Sequence, residues 1–354
     1  MIDTPGQIRV LIADDSLVAR EMLAQILATD PRIEVVGMAH DGREAVDMVA
    51  NLKPDLVTMD IHMPRMDGLV AIEQIMAYHP TPILVVSSSV HGEGMGRAFD
   101  ALRIGALDVI KKPEARDWAE LDRIGREVIK RVKILSRIRV ITHIAGKRGQ
   151  GTRDRIAVEP VHHARQGVRS IVAIGSSTGG PSALLNVLGR LPKDFSVPIV
   201  IAQHIADGFI PGLVNWLDAG CQIRIQEAVE NQAALPGNAY LAPTGSNLEM
   251  DGYTMHFSKP HLGQLYIPSA DSLFMSVAST FGRNAVGVIL TGMGADGAIG
   301  LKRMREVGAA TLGQDEATCA VYGMPKAAAE LNALDSELSV LDIAAEVERL
   351  VAGG

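Results

Sequence analysis

The feature that most limits what this chain can fold into is an alternation, kept up along nearly its whole length, of short apolar runs with stretches of helical periodicity. Such runs bury both faces of a strand, which points to parallel sheets joined by crossover helices. In the first third the runs are 8–13, 55–59, 83–86 and 107–110, and helical patterns fall at 17–28, 42–51, 68–78, 93–104 and 118–137. That spacing predicts five βα units. In the second half, runs beginning at Val172 and covering 197–202, 221–226, 239–242, 286–290 and 309–312 read as strands. Residues 254–258 read as part of a hairpin, and 271–280, 298–307 and 346–351 as helices. The expected fold class is α/β: an N-terminal (βα)5 domain followed by a doubly wound, mainly parallel α/β domain.

A chain of 354 residues with 47% hydrophobic content can bury two cores. Charge marks the boundary between them. Residues 139–168 carry six basic side chains against two acidic ones in a chain whose net charge is −7. The expected division is 1–138, a flexible basic linker over 139–168, and 169–354. Within the linker, His162-His163 reads as solvated rather than metal-binding. The basic stretch 130–139 has two readings, a surface for acidic lipid or nucleic acid and a solvated helix end. An aromatic content of 4% disfavours stacking on bases, so no nucleic acid partner is expected. No apolar run approaches the ~20 residues a bilayer span needs, and no signal-peptide pattern opens the chain. A cytoplasmic protein without direct membrane insertion is therefore expected. Cys221 and Cys319 fit neither a disulfide framework nor a metal spacing.

In Gly175-Ser176-Ser177-Thr178-Gly179-Gly180, a serine sits on a glycine-flanked turn between an apolar strand and a helix. The G-x-S-x-G spacing around Ser177 suits a nucleophile whose oxyanion faces a helix N-terminus. The same turn type also cradles phosphates. Two other strands end in candidate partners, Gln203-His204 and Gly292-Met293-Gly294-Ala295-Asp296-Gly297. Ser177, His204 and Asp296 thus all follow carboxyl ends of parallel strands, where open α/β sheets place their crevice. The set supplies a nucleophile, a base and a carboxylate that orients the base. Singly, His204 also reads as a strand-end residue bonded to backbone, Asp296 as an N-cap of the next helix, and Met293 as a gap-filling side chain. The order Ser, His, Asp differs from that of the α/β-hydrolase fold.

The first third carries a separate chemistry. Asp14 and Asp15 end one strand and Asp60 another, and clustered carboxylates repel unless a hard cation neutralises them, so Mg²⁺ is expected there. Lys112 and the Ser87 hydroxyl would help to hold a phosphoryl group on Asp60, the candidate acceptor.

Asp14-Asp15, Asp60, Ser87 and Lys112-Pro113 resemble the pattern of two-component receiver domains. Gly175-Ser176-Ser177-Thr178-Gly179-Gly180, Gln203-His204, the 292–297 segment and Gln314-Asp315-Glu316-Ala317-Thr318 are similar to the catalytic domain of chemotaxis protein-glutamate methylesterases. The resemblance implies a phosphorylation-activated esterase acting on glutamate methyl esters of chemoreceptor cytoplasmic helices, with glutamine deamidation in some members. It implies Ser177, His204 and Asp296 as triad, and backbone N–H groups of Thr178 and Met293 as oxyanion hole. It further implies Asp60 as phosphorylation site, Mg²⁺ held by Asp15, Asp60 and the His62 carbonyl with Asp14 in support, and a chemotaxis histidine kinase as phosphodonor. In the family the unphosphorylated receiver covers the cleft. The chain departs from the pattern at Leu265-Tyr266-Ile267-Pro268-Ser269, where a basic segment is common, at Asn247, where histidine is, and at Val109, where an aromatic ring is. These departures suit a member of a non-motility chemosensory array. The alternative is a receiver-controlled binding module with little turnover.

Overall fold

The computed structural model describes residues 7–87, 94–113, 118–138, 140 and 169–353. The expected linker, Val140 apart, lies outside the described residues.

The first unit alternates strictly: β1 (Ile8–Ala13), α1 (Leu17–Ala28), β2 (Ile33–Ala39), α2 (Gly42–Leu52), β3 (Leu56–Met59), α3 (Gly68–Tyr78), β4 (Ile83–Ser87), α4 (Gly94–Ile104), β5 (Asp108–Lys111) and α5 (Trp118–Leu135). All five strands are parallel in the order β2-β1-β3-β4-β5. β2 is the strand that no apolar run locates. It is an edge strand, and its half-exposed middle carries Glu34 and Gly37 instead of a continuous run. Local signals set the helix starts, as where Ser16 and Asp41 accept the Ala19 and Glu44 amides at the N-termini of α1 and α2. The strand order reverses between β1 and β3, so Asp14 and Asp60 emerge at a switch point.

The second unit comprises β6 (Ile171–Ser176), α6 (Gly180–Leu188), β7 (Ile199–Gln203), α7 (Ile210–Gly220), β8 (Arg224–Glu227), β9 (Asn238–Leu241), β10 (Asn247–Asp251), β11 (Thr254–Ser258), α8 (Ala270–Phe281), β12 (Ala285–Ile289), α9 (Ala298–Glu306), β13 (Ala310–Gln314), α10 (Met324–Glu330), β14 (Ser336–Leu338) and α11 (Ile343–Val351). Seven parallel strands run β14-β13-β12-β6-β7-β9-β8, while β10 and β11 form a separate antiparallel hairpin. The 221–226 run is only partly a strand, because Cys221 caps α7 and β8 begins at Arg224. The sheet winds outward in both directions from β6 and β12. The turns after those two strands therefore diverge and open a crevice.

The two units share apolar contacts. Phe99 of α4 is fully buried, with its ring 6.2 Å from Phe209 and 5.9 Å from Trp216 at the start and middle of α7. Two charges of the basic 130–139 stretch are used inside the first unit: Arg131 pairs with Asp108 and Glu127, and Lys133 with Asp30 at 3.3 Å. That favours the helix-end reading over a basic binding patch. Among the described residues, no helix is long and apolar enough to cross a membrane.

Candidate active site

The turn after β6 is tied to its neighbours by a buried amide. Ser176 Oγ donates to Gln203 Oε1 at 2.6 Å, while Gln203 Nε2 donates to the carbonyls of Ser177 and His204, each at 2.8 Å. Ser177 N–H in turn donates to the Thr291 carbonyl at 3.0 Å. One side chain thus fixes the serine turn against the histidine turn, and the backbone fixes it against the turn after β12. Close approach there needs glycine, since a Cβ on Gly292 would lie 2.8 Å from Ser177 Cβ and 2.2 Å from Met324 Sδ. Ser177 itself is buried. Among the described residues, neither the Thr178 nor the Met293 amide donates a hydrogen bond.

His204 Nε2 meets Asp296 Oδ2 at 2.7 Å. Asp296 is further held by the N-terminus of α8: Oδ1 accepts from Ser269 Oγ at 2.8 Å and Asp271 N at 3.2 Å, and Oδ2 from Ala270 N at 2.7 Å. Burial pushes the Asp296 carboxyl up, but the bonds from His204, Ala270 and Ser269 outweigh it and hold the pKa below the ordinary value. Asp296 does not cap α9. Gly297 takes that position with no side-chain bond, and Asp271 Oδ1 accepts the Gly300 amide of α9 at 2.7 Å. Nor is the His204 ring bonded to backbone, for Nδ1 is buried without a partner.

Two adjacent carboxyls are driven apart. Burial, with the nearby Asp296 charge adding to it, raises Asp271 to about 6. A carboxyl whose folded pKa lies above its unfolded value binds extra protons in the fold, so stability falls as pH rises from about 4 to about 6. Asp271→Asn keeps an acceptor for the Gly300 amide and removes the charge. Melting temperatures measured from about pH 4 to pH 7 should therefore decline less in Asp271→Asn than in the parent protein. Parallel curves would rule out this assignment.

At the first switch point, carboxylate oxygens of Asp14, Asp15 and Asp60 lie within 4.8 Å of one another. Lys112 Nζ sits 2.7 Å from Asp14 and 2.9 Å from Asp60. Burial, reinforced by the Asp60 charge, raises the Asp14 pKa despite that ammonium, and burial of Lys112 is outweighed by its bonds to both carboxylates, which raise its own. Three clustered carboxylates with excess negative charge fit a hard divalent cation. Ser87 and Val109 are buried in β4 and β5, whereas His62 is exposed with its ring 3.4 Å from Arg97. Burial pushes both thiols, Cys221 and Cys319, up to about 12, so neither is a ready nucleophile.

Four residues enter the site without a role assigned from sequence. Gln203 joins the turns. Asn247 Oδ1 accepts from Ser269 N at 3.0 Å and from Gln264 Nε2 at 2.7 Å, pinning the segment before α8. Ser269 caps α8 and bonds Asp296, and the ring of Tyr266 lies on His204. For Ser269 the sequence signal is a serine before a helix, which reveals the cap and not the bond to Asp296.

The CheB methylesterase family profile matches residues 172–347, and that of the response regulator receiver domain matches residues 10–120. The chain is 44% identical to protein-glutamate methylesterase/protein-glutamine glutaminase 2 of Anaeromyxobacter dehalogenans, over 95% of each chain. It is 42% identical to protein-glutamate methylesterase/protein-glutamine glutaminase 1 of Syntrophus aciditrophicus, over 92% of this chain and 93% of that one. Among solved structures, the Thermotoga maritima CheB methylesterase catalytic domain is 33% identical, covering 52% of this chain and all of its own, with a TM-score of 0.49.

Proposed function

The chain belongs to the CheB methylesterase family and carries a response regulator receiver domain, and from that premise we propose that Ser177, His204 and Asp296 hydrolyse glutamate methyl esters on chemoreceptor helices under control of phosphorylation at Asp60. The enzyme is a protein-glutamate methylesterase. Glutamine deamidation is the same acyl transfer with ammonia in place of methanol. The working division remains a receiver over 1–138, a linker over 139–168 and an esterase domain over 169–354.

The observation that carries this reading is the His204 ring, whose Nε2 is committed to a buried carboxylate while Nδ1 is buried and unpartnered. Nδ1 is then the nitrogen that takes the Ser177 proton as Oγ attacks the ester carbonyl. The developing oxyanion faces the free amides of Thr178 and Met293. His204 returns the proton to the departing methanol oxygen, leaving an ester on Ser177. Water then attacks that ester, giving its proton to Nδ1, and the proton passes back to Ser177 as the glutamate is released. Throughout, Asp296 holds the proton on Nε2 and offsets the charge on the ring.

Control is proposed to act through the interface. Leu102 of α4 and, beyond α5, Ile138 and Val140 border a cavity of about 340 Å³ whose other wall includes Gly179, Ser182 and Thr291, beside the serine turn. The unphosphorylated receiver thus stands over one flank of the crevice. A chemotaxis histidine kinase would phosphorylate Asp60. Asp15, Asp60 and the His62 carbonyl, with Asp14 in support, would hold Mg²⁺, which would supply the positive charge that a phosphoryl group there requires. Lys112, paired with both carboxylates in the unmodified protein, would follow the new charge, and Ser87 would turn toward it. Val109 leaves no large ring to move, so the activation is expected to be modest. The test is the esterase rate of the full chain with and without acetyl phosphate and Mg²⁺. A rise in the parent that is absent in Asp60→Asn is expected, and an equal rise in both would remove Asp60 from the control.

A further inference from the structure

The aromatic ring of Tyr266 lies flat on the His204 imidazole, with centroids 4.7 Å apart and planes 7° from parallel. Its hydroxyl reaches over the loop after β12, where a Cβ on Gly294 would come within 2.3 Å of it. The segment that carries it is fixed from behind: Gln264 Nε2 donates to the Tyr266 carbonyl at 2.8 Å and to Asn247 Oδ1. Tyr266 also receives the receiver, since Lys130 Nζ of α5 sits 5.5 Å from its ring centroid.

Resting on the triad reading above, we propose that Tyr266 is a positioning residue for His204 and that Lys130 restrains turnover through the same ring. A single bond to Asp296 lets the imidazole pivot about Nε2, and a flat wall in contact with its face would limit that pivot and so hold Nδ1 in one place. The wall also responds to charge. When His204 takes the Ser177 proton, the stack becomes a cation–π contact, stronger in the transition state than before it. An ammonium already over the same ring opposes that change, because two cations then share one quadrupole and repel each other. The receiver would in this way act on the base as well as on access to the serine.

The test uses the full chain without phosphodonor, a soluble methyl ester of a glutamyl peptide, and a melting curve for each variant. Tyr266→Phe keeps the ring and should stay within about threefold of the parent kcat. Tyr266→Ala and Tyr266→Leu should each lose about ten- to a hundredfold in kcat with little change in KM, the leucine filling the space without a π face. Lys130→Gln should raise kcat about two- to fivefold when Tyr266 is present and not in the Tyr266→Leu background. Equal losses in the Phe and Leu variants, or changes confined to KM, would overturn the positioning role. An equal gain from Lys130→Gln in both backgrounds would overturn the shared ring. Ser177→Ala is assayed alongside: turnover surviving there defeats the triad reading itself, an outcome separate from any pattern among the Tyr266 variants.

Discussion

Ser177→Ala is expected to fold as the parent does and to lose on the order of 10⁴-fold or more in kcat, because the hydroxyl is the attacking atom and no neighbour replaces it. Its packing predicts the intact fold. The turn is held by Ser177 backbone bonds to Thr291 and Gln203 and by the side chain of Ser176, so deleting one buried hydroxyl leaves that frame in place. His204→Ala should be comparably slow, and the double variant no slower than either single one, since nucleophile and base act as a unit. Steady-state rates on a glutamyl methyl ester, with melting curves on the same preparations, decide the matter. Turnover within tenfold of the parent in either single variant would exclude the triad, and losses that multiply in the double variant would mean that the two side chains serve separate steps.

Much of this site was legible in the sequence because strand ends are. A continuous apolar run such as 197–202 announces a buried strand, and the residue where it stops must lie at a sheet edge. Three such stops gave Ser177, His204 and Asp296, and two gave the Asp14, Asp15 and Asp60 cluster. β2 and β14 escaped because exposed or half-exposed residues occupy most of each, which erases the run. The exchange in which Asp296 serves the start of α8 and Asp271, within α8, serves the start of α9 was hidden for a different reason. It depends on α8 and α9 lying side by side, and nothing at either aspartate records that. Tyr266 was visible only as a departure from a family pattern. That it lies on His204 is a consequence of Asn247 and Gln264 holding a loop far from β7 in sequence.

Asp296→Asn is expected to cost about 10²- to 10³-fold in kcat, less than removal of Ser177, and the reason lies in how the amide can sit. Oδ2 serves His204 and Ala270, both at 2.7 Å, while Oδ1 serves Ser269 Oγ and, at 3.2 Å, the Asp271 amide. An asparagine with its oxygen in the Oδ2 place keeps the two short bonds. Its NH2 then faces Ser269, whose hydroxyl can turn and accept, and only the long Asp271 contact is lost. The opposite orientation sets the NH2 against the Ala270 amide and forces His204 to carry its proton on Nδ1, the atom that must receive one. Leaving a buried donor unpaired costs about 1–3 kcal/mol, so the first orientation should win at the short bonds. The imidazole then keeps its working tautomer and loses only the negative charge that stabilises its protonated form. Nitrogen chemical shifts of His204 report the tautomer directly, and kcat reports the charge. A loss near 10⁴-fold with the proton on Nδ1 would show that the amide sits the other way. A loss below about tenfold would mean that Asp296 orders α8 without supporting the base.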